Sequence, residues 1–151
     1  LPRKRMGAGL LLFNEAGEIL FVKPTYRDSW LVPGGIVEAD ESPRQAALRE
    51  AEEELGLEPK ECRLLCVDHV VAQGEKTEAL QFVFFGGVLD KAAVARIRLQ
   101  AEELSEFRFL KPKEAPALVA GNLNLARRLP HVLEARKTGT PVYLENGEPT
   151  R

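Results

Sequence analysis

The chain of 151 residues has little of several residue types, and each shortage excludes a class of protein. It contains two cysteines, one methionine and one tryptophan. Cys62 and Cys66 are expected on the same face of one strand, roughly 13 Å apart, which is too far for a disulfide bond. No further cysteine and no pair of histidines lies near them to complete a zinc site. We therefore interpret both as ordinary core residues.

A long apolar segment is also missing, and so is a strong net charge of either sign. No stretch approaches the roughly 18 apolar residues that a membrane-spanning helix needs, and the basic start is not followed by a signal-peptide pattern. The formal net charge is −2, so the overall field neither attracts nor strongly repels nucleic acid or anionic membranes. We expect a cytoplasmic protein with no membrane partner and no stable nucleic-acid binding.

The chain has enough apolar residues for one hydrophobic core, because 44% of its residues are hydrophobic. A chain of this length buries about 68–70% of its unfolded surface. We expect a single domain over residues 1–151 with irregular tails at residues 1–5 and 139–151. Packing of the second tail against another subunit is the alternative, and a homodimer is one possible assembly.

Apolar and β-branched segments alternate with turn residues, and two later segments have helical periodicity. The predicted strands are residues 7–13, 18–23, 30–32, 62–72, 78–89 and 107–110. Besides the helix described next, helices are predicted over about residues 112–120 and 123–137. This order predicts an α/β protein with a mixed sheet between helices.

A further helix is predicted over residues 43–55, because both of its ends carry clear signals. Ser42 suits the N-cap, Pro43 suits the first helical position, and Gln45 can complete a capping box. Gly56 stands where a left-handed residue ends a helix.

The same helix carries an acidic cluster. Glu50, Glu53 and Glu54 are spaced i, i+3 and i+4, so their carboxylates share one face. Like charges at this spacing destabilise a helix by about 0.2–0.5 kcal/mol per pair, which a divalent cation would relieve. A solvated acidic face is the alternative. The preceding Pro-Gly-Gly at residues 33–35 favours the cation, because it lets backbone and ligand approach the helix closely.

Seven residues stand in fixed places over Gly35–Leu57: Gly35, Glu41, Arg49, Glu50, Glu53, Glu54 and Gly56. At a background usage of roughly 0.07 each, such a match arises by chance in about one chain in 10⁶ of this length. The segment resembles the signature box of the Nudix hydrolase superfamily. Ala51 is a mild departure, since the family has a bulky aliphatic residue there.

The resemblance implies a Nudix-type α/β/α sandwich and Mg²⁺-dependent hydrolysis of a diphosphate linkage by metal-activated water, with Mn²⁺ as a possible substitute. The substrate would be a nucleoside diphosphate derivative: a nucleotide, a nucleotide sugar or an oxidised nucleotide. The alternative is a non-catalytic Nudix-like module that binds a nucleotide or has a regulatory role. Such modules often lose box glutamates, whereas this chain retains all of them. An isomerase acting on a prenyl diphosphate ranks lower, since neither cysteine lies in the box.

The resemblance also assigns the metal ligands. Glu50, Glu53 and Glu54 match the family's metal-binding glutamates; we expect Glu53 and Glu54 to be direct ligands and Glu50 to be a ligand or the base. The backbone carbonyl of Gly34 or Gly35 is a plausible further ligand.

Three further catalytic positions follow. Arg49 matches the residue that orients the carboxylates, and Glu41 matches its salt-bridge partner. Some family members take another carboxylate from a later loop, for which Glu103 is the first choice over Glu102 and Glu106, with a solvated acidic turn as an even alternative.

Substrate-binding residues are predicted in the loop before Trp30. Lys23 and Arg27 could hold phosphate there, and Tyr26 could stack on a base. The pair Asp68 and His69 is a poor acid/base candidate, since neighbours in a strand point to opposite faces. The region after the box carries neither the proline nor the tyrosine that marks certain subfamilies, so the substrate stays open.

Overall fold

The computed structural model describes residues 1–150, which form a mixed sheet of eight strands with helices on both faces. The strands are β1 (Arg5–Asn14), β2 (Ile19–Pro24), β3 (Gly34–Ile36), β4 (Arg63–Val70), β5 (Ala79–Leu89), β6 (Leu104–Leu110), β7 (Val142–Glu145) and β8 (Glu148–Pro149). The helices are α1 (Pro43–Leu55), α2 (Lys91–Ala95), α3 (Ala115–Val119) and α4 (Leu123–Thr138). No helix within residues 1–150 is long and apolar enough to cross a membrane.

The strand order in the sheet is β6-β2-β1-β5-β4-β7-β8, and β3 pairs with β1 outside this path. β1 runs parallel to β5 in the centre, and β4 runs parallel to β7. The other pairs are antiparallel, including both predicted hairpins. The mixed sheet expected from the sequence is confirmed.

Two apolar layers pack on the two faces of the sheet, as the alternation along β1 shows. Ala8, Leu10 and Leu12 pack with α1, whereas Leu11 and Phe13 pack with α3 and α4. Because side chains of a strand alternate between its faces, one strand serves both layers. The α/β/α sandwich follows from this arrangement.

The ends of α1 are those predicted. The Ser42 hydroxyl accepts a hydrogen bond from the Gln45 backbone N–H at 3.0 Å, and the Gln45 side chain accepts one from the Ser42 N–H at 2.8 Å. Gly56 ends the helix in the left-handed conformation at φ 69°. These caps fix where the helix begins, and therefore which side its glutamates face.

The predicted strand at residues 30–32 is wrong. Leu31 forms only an isolated bridge with Val22, and the strand lies later, at Gly34–Ile36. Gly34 pairs closely with β1, where a β-carbon would collide with the carbonyl oxygen of Ala8. The prediction chose residues 30–32 because an aromatic and aliphatic run is more typical of a strand than two glycines are. Only glycine, however, allows the backbone at residue 34 to lie this close to β1. The helix α2 was not predicted.

The tail predicted as irregular is largely ordered into the sheet. Residues 142–149 contain β7 and β8, joined by a turn in which Asn146 and Gly147 have positive φ. Leu144 is fully buried, so this segment, hereafter the C-terminal hairpin, contributes to the core. At the other end, β1 already begins at Arg5, inside the expected N-terminal tail.

The two cysteines lie on opposite faces of the sheet, so their predicted common face is wrong. A bulge between Leu64 and Cys66 shifts the register of β4 and reverses the alternation. Cys62 packs on the α1 side, whereas Cys66 is buried on the α4 side. Both thiols are free.

Candidate active site

Arg49 organises the acidic face of α1. Its guanidinium donates to both carboxylate oxygens of Glu41, at 2.7 and 3.1 Å, in a bidentate pair. It also donates to the Ile36 carbonyl at 3.1 Å, to Glu50 at 2.9 Å and to Glu53 at 3.1 Å. The hydrogen bond from Arg49 lowers the pKa of Glu41, and Glu41 raises the pKa of Arg49. One planar side chain thus holds three glutamates and the last residue of β3 in place.

Three carboxylates converge at the end of this face. Oxygen atoms of Glu50, Glu54 and Glu103, hereafter the carboxylate trio, lie within 4.8 Å of one another. Glu54 is buried, with 6% exposed, and desolvation raises its pKa to about 8. Desolvation also raises the pKa of Glu50. The trio is a set of oxygen ligands whose charges the protein only partly balances.

The loop after α2 brings Glu103 to this point. The Gln100 N–H donates to the Glu54 carbonyl at 3.0 Å, so the loop caps the end of α1. The Glu103 N–H donates to Gln100 at 3.0 Å, and the Glu103 carbonyl accepts from the Thr25 N–H at 2.8 Å. The trio therefore joins residues about fifty positions apart along the chain.

The Pro-Gly-Gly segment at residues 33–35, hereafter the glycine loop, contacts the trio where the chain enters β3. The Gly34 N–H donates to a Glu54 carboxylate oxygen at 2.8 Å. A β-carbon on Gly35 would stand 2.5 Å from a Glu50 carboxylate oxygen. Both glycines therefore set the carboxylate positions, and the predicted role of the Gly34 carbonyl as a metal ligand stays a prediction.

Glu53 lies outside the trio. Its carboxylate contacts Arg49, and half of its side chain is exposed to solvent. The prediction that Glu53 is a direct metal ligand and a catalytic residue stays a prediction. Glu102 and Glu106, the alternatives to Glu103, are not members of the trio.

A sequence model of the NUDIX domain matches residues 3–131. The chain belongs to the Nudix hydrolase family. A Nudix hydrolase of Pseudomonas aeruginosa, itself uncharacterised, is 38% identical over 137 residues, covering 83% of this chain and 69% of that protein. An RNA pyrophosphohydrolase of Hydrogenovibrio crunogenus is 41% identical over 61 residues, covering 40% of this chain and 37% of that protein. The hydrolase family expected from the box is confirmed.

The fold is also similar to that of solved Nudix structures. A UDP-X diphosphatase superimposes with a TM-score of 0.77 at 24% identity, covering 95% of this chain and 68% of the other. At this identity the likeness concerns the fold, and it confirms the Nudix-type sandwich.

An open cleft of about 410 Å³ adjoins the glycine loop of this Nudix domain and is lined in part by Gly34 and Gly35. Tyr26 and Arg27, two of the predicted substrate-binding residues, also line it. Lys23 does not, and its ammonium group pairs with Asp28 at 3.1 Å. The structure thus places two of these three residues around one cavity.

A buried ion pair beside the cleft escaped the sequence analysis. Asp68 is fully buried and accepts hydrogen bonds from the Arg128 Nε at 2.7 Å and from the Gly147 N–H at 3.0 Å. We call these three residues the Asp68 clasp. His69 points elsewhere, 3.6 Å from Glu78. The sequence does contain one signal for this pair, which is a carboxylate inside an apolar strand. A buried carboxylate requires a hydrogen-bonding or charged partner.

Proposed function

We propose that this Nudix domain hydrolyses a diphosphate linkage in a nucleoside diphosphate derivative, with Mg²⁺ as its metal and Mn²⁺ as a possible substitute. The main support is the convergence of Glu50, Glu54 and Glu103 within 4.8 Å. Two similar proteins, a UDP-X diphosphatase and an RNA pyrophosphohydrolase, carry names that describe hydrolysis of a diphosphate.

The residues of the trio fit a hard divalent cation. All three offer carboxylate oxygens, which Mg²⁺ and Mn²⁺ prefer over nitrogen or sulfur ligands. Arg49 contacts Glu50 alone among the three, and Glu54 accepts only a neutral backbone N–H from Gly34. Burial without a balancing cation is what raises the pKa of Glu54, and a bound cation would reverse that effect.

Glu50, Glu54 and Glu103 would hold the metal, and Glu53 is the predicted fourth carboxylate. When bound, the cation would lower the pKa of a water molecule and neutralise charge on the phosphoryl oxygens. The residues of the chain itself would position the metal ligands and the substrate. Arg49 holds Glu50 and Glu53 in fixed orientations, and the cleft beside the glycine loop receives the nucleoside, so that the diphosphate lies at the trio.

A panel of nucleoside diphosphate derivatives, assayed with Mg²⁺ and with Mn²⁺, tests the proposal together with Glu54→Gln. We expect hydrolysis at a diphosphate bond and a fall in kcat of about 100-fold or more in the variant, because a metal ligand is lost. Glu52→Gln is the matched control, because Glu52 is exposed on the same helix. It should retain the wild-type rate.

Unchanged turnover in Glu54→Gln would contradict the assignment of the trio. If the whole panel stayed intact while one nucleotide bound in calorimetry, the non-catalytic binding module would replace the hydrolase as the best interpretation.

A further inference from the structure

The floor of the cleft contains a buried cation. Arg128 lines the cleft and is 8% exposed, and its Nε donates a hydrogen bond to the Asp68 carboxylate at 2.7 Å. Among residues 1–150, no hydrogen-bond acceptor engages the two terminal nitrogens of this guanidinium. A guanidinium offers its terminal N–H groups as a planar fork. Arg128 is therefore held through its Nε, and its terminal N–H groups are left to donate to a ligand.

The C-terminal hairpin holds this arginine in place through Asp68. Gly147 donates to the second oxygen of Asp68 at 3.0 Å, while the Asn146 side chain accepts from the Val71 N–H at 3.0 Å. The Asn146 N–H donates to the His69 carbonyl at 2.8 Å. Both hairpin residues lie beyond the match to the family, which ends at residue 131. Asp68 and Arg128 lie within that match, so the hairpin supports them from outside the matched domain.

The charge of the cleft is of one sign. Within the described chain its lining includes the cations Arg5, Arg27, Lys76 and Arg128, and it includes no aspartate or glutamate. The carboxylate trio on the other side of the glycine loop has the opposite charge. A ligand that extends from the trio into the cleft therefore moves from a site for a cation to a site for an anion.

We propose that Arg128 binds a second oxyanion of the substrate, a phosphate group attached to the ribose, which is distinct from the diphosphate that is hydrolysed. The inference rests on the proposed function, because it takes the trio as the place of hydrolysis. The Arg128 fork matches a phosphate in bidentate geometry, and the other three cations supply long-range attraction. The preferred substrate is thus a nucleotide with phosphate on its 2′ or 3′ oxygen.

Matched pairs of substrates that differ by this phosphate test the proposal. They are NADPH against NADH for the 2′ position, coenzyme A against 3′-dephospho-coenzyme A for a 3′ monoester, and a 5′-triphosphorylated dinucleotide against a nucleoside triphosphate for a 3′ diester. We expect the extra phosphate to raise kcat/KM about tenfold or more in at least one pair, mainly through KM. The pair that responds identifies the position.

Two variants connect this preference to Arg128. Arg128→Gln alone leaves the buried Asp68 without its partner, so the double variant Asp68→Asn with Arg128→Gln replaces the ion pair by two amides. In the double variant the ratio of kcat/KM between the two members of the responding pair should fall about tenfold or more. Arg127→Gln is the control, because Arg127 is the exposed neighbour on α4 with the same charge.

The outcomes separate the two proposals. Equal kcat/KM within every pair, with hydrolysis intact, would overturn the role of Arg128 and leave the hydrolase in place. If no pair is hydrolysed with either metal, turnover of the wider panel of nucleoside diphosphate derivatives decides the hydrolase, and calorimetric titration of the wild type with both members of each pair decides the role of Arg128. Equal affinities within every pair would also overturn that role. If the double variant does not fold, the comparison of matched substrates on the wild type alone tests the proposal.

Discussion

The carboxylate trio contacts Gly34, and the Asp68 clasp contains Arg128, which lines the same cleft as Gly34. These two polar clusters are built in opposite ways. The trio gathers three acids whose charges are not balanced within the protein. The clasp pairs one acid with one base and a backbone N–H, so that its charge is balanced and both side chains are buried. An unbalanced cluster needs a ligand, whereas a balanced pair mainly holds structure together. The difference predicts that changes in the trio impair the rate with little effect on stability, while changes in the clasp impair folding in addition to the substrate preference proposed for Arg128.

The largest expected effect comes from breaking the clasp. Asp68→Ala leaves Arg128 without a partner in a nearly buried position and should lower the free energy of unfolding by about 3–5 kcal/mol. Urea denaturation followed by circular dichroism measures the loss. Asp68→Asn keeps an acceptor of the same shape and should lose less. Equal stability of Asp68→Ala and wild type would show that the clasp is not a structural pair.

A change beside the trio should act on the rate. Gly35→Ala places a β-carbon 2.5 Å from the Glu50 carboxylate, which must move. Displacement of a catalytic group by about 1 Å reduces rates about 100-fold, and we expect that fall in kcat with a small change in melting temperature. Gly121→Ala is the control, because its β-carbon would meet nothing within 4 Å. Normal kcat in Gly35→Ala would mean that the trio tolerates displacement.

The effect with the smallest step, which is spread over several pH units, concerns Glu54 and sharpens the contrast in charge. The folded protein holds the proton of Glu54 up to about pH 8, while an unperturbed glutamate loses it near 4.5. The metal-free protein should therefore lose stability as pH rises through this window, by at most about 1.4 kcal/mol per pH unit from this group. The proposed Mg²⁺ would bind the ionised form, so its stabilising effect should grow over the same range.

The measurement is the free energy of unfolding of the wild type minus that of Glu54→Gln, taken from pH 5 to pH 8 with and without Mg²⁺. Without metal the difference should fall with pH, because the variant has no carboxyl to titrate at this position. A difference that rises with pH in the absence of metal would show that Glu54 is already ionised.

The parts of the fold that were predictable are those that short sequence segments determine. The capping box at Ser42 and the left-handed Gly56 fixed α1 correctly, since each acts within four residues. The ion pair of Arg49 with Glu41 follows from the same local segment, together with the resemblance to the box. The Nudix assignment depended on nothing more distant.

The parts that were missed depend on contacts between distant segments. Asp68 meets Arg128 and Gly147 across 60 and 79 positions, and no periodicity encodes such a meeting. The C-terminal hairpin looked irregular because its short strands gain their hydrogen bonds from β4 rather than from a strong local signal. Glu103 could be named as a candidate, but only the loop bound to the end of α1 distinguishes it from Glu102 and Glu106.

The hydrogen bond from the Gly34 N–H to Glu54 joins a wall of the cleft to a carboxylate of the trio. An N–H group binds an ionised carboxylate more strongly than a protonated one. The proposed cation would ionise Glu54 and would therefore also tighten the loop against which the proposed nucleotide would lie. Thermodynamic linkage requires that the metal change the affinity for the nucleotide by the same factor by which the nucleotide changes the affinity for the metal. Under the proposed function the two ligands would thus act as heterotropic effectors of each other through a single hydrogen bond.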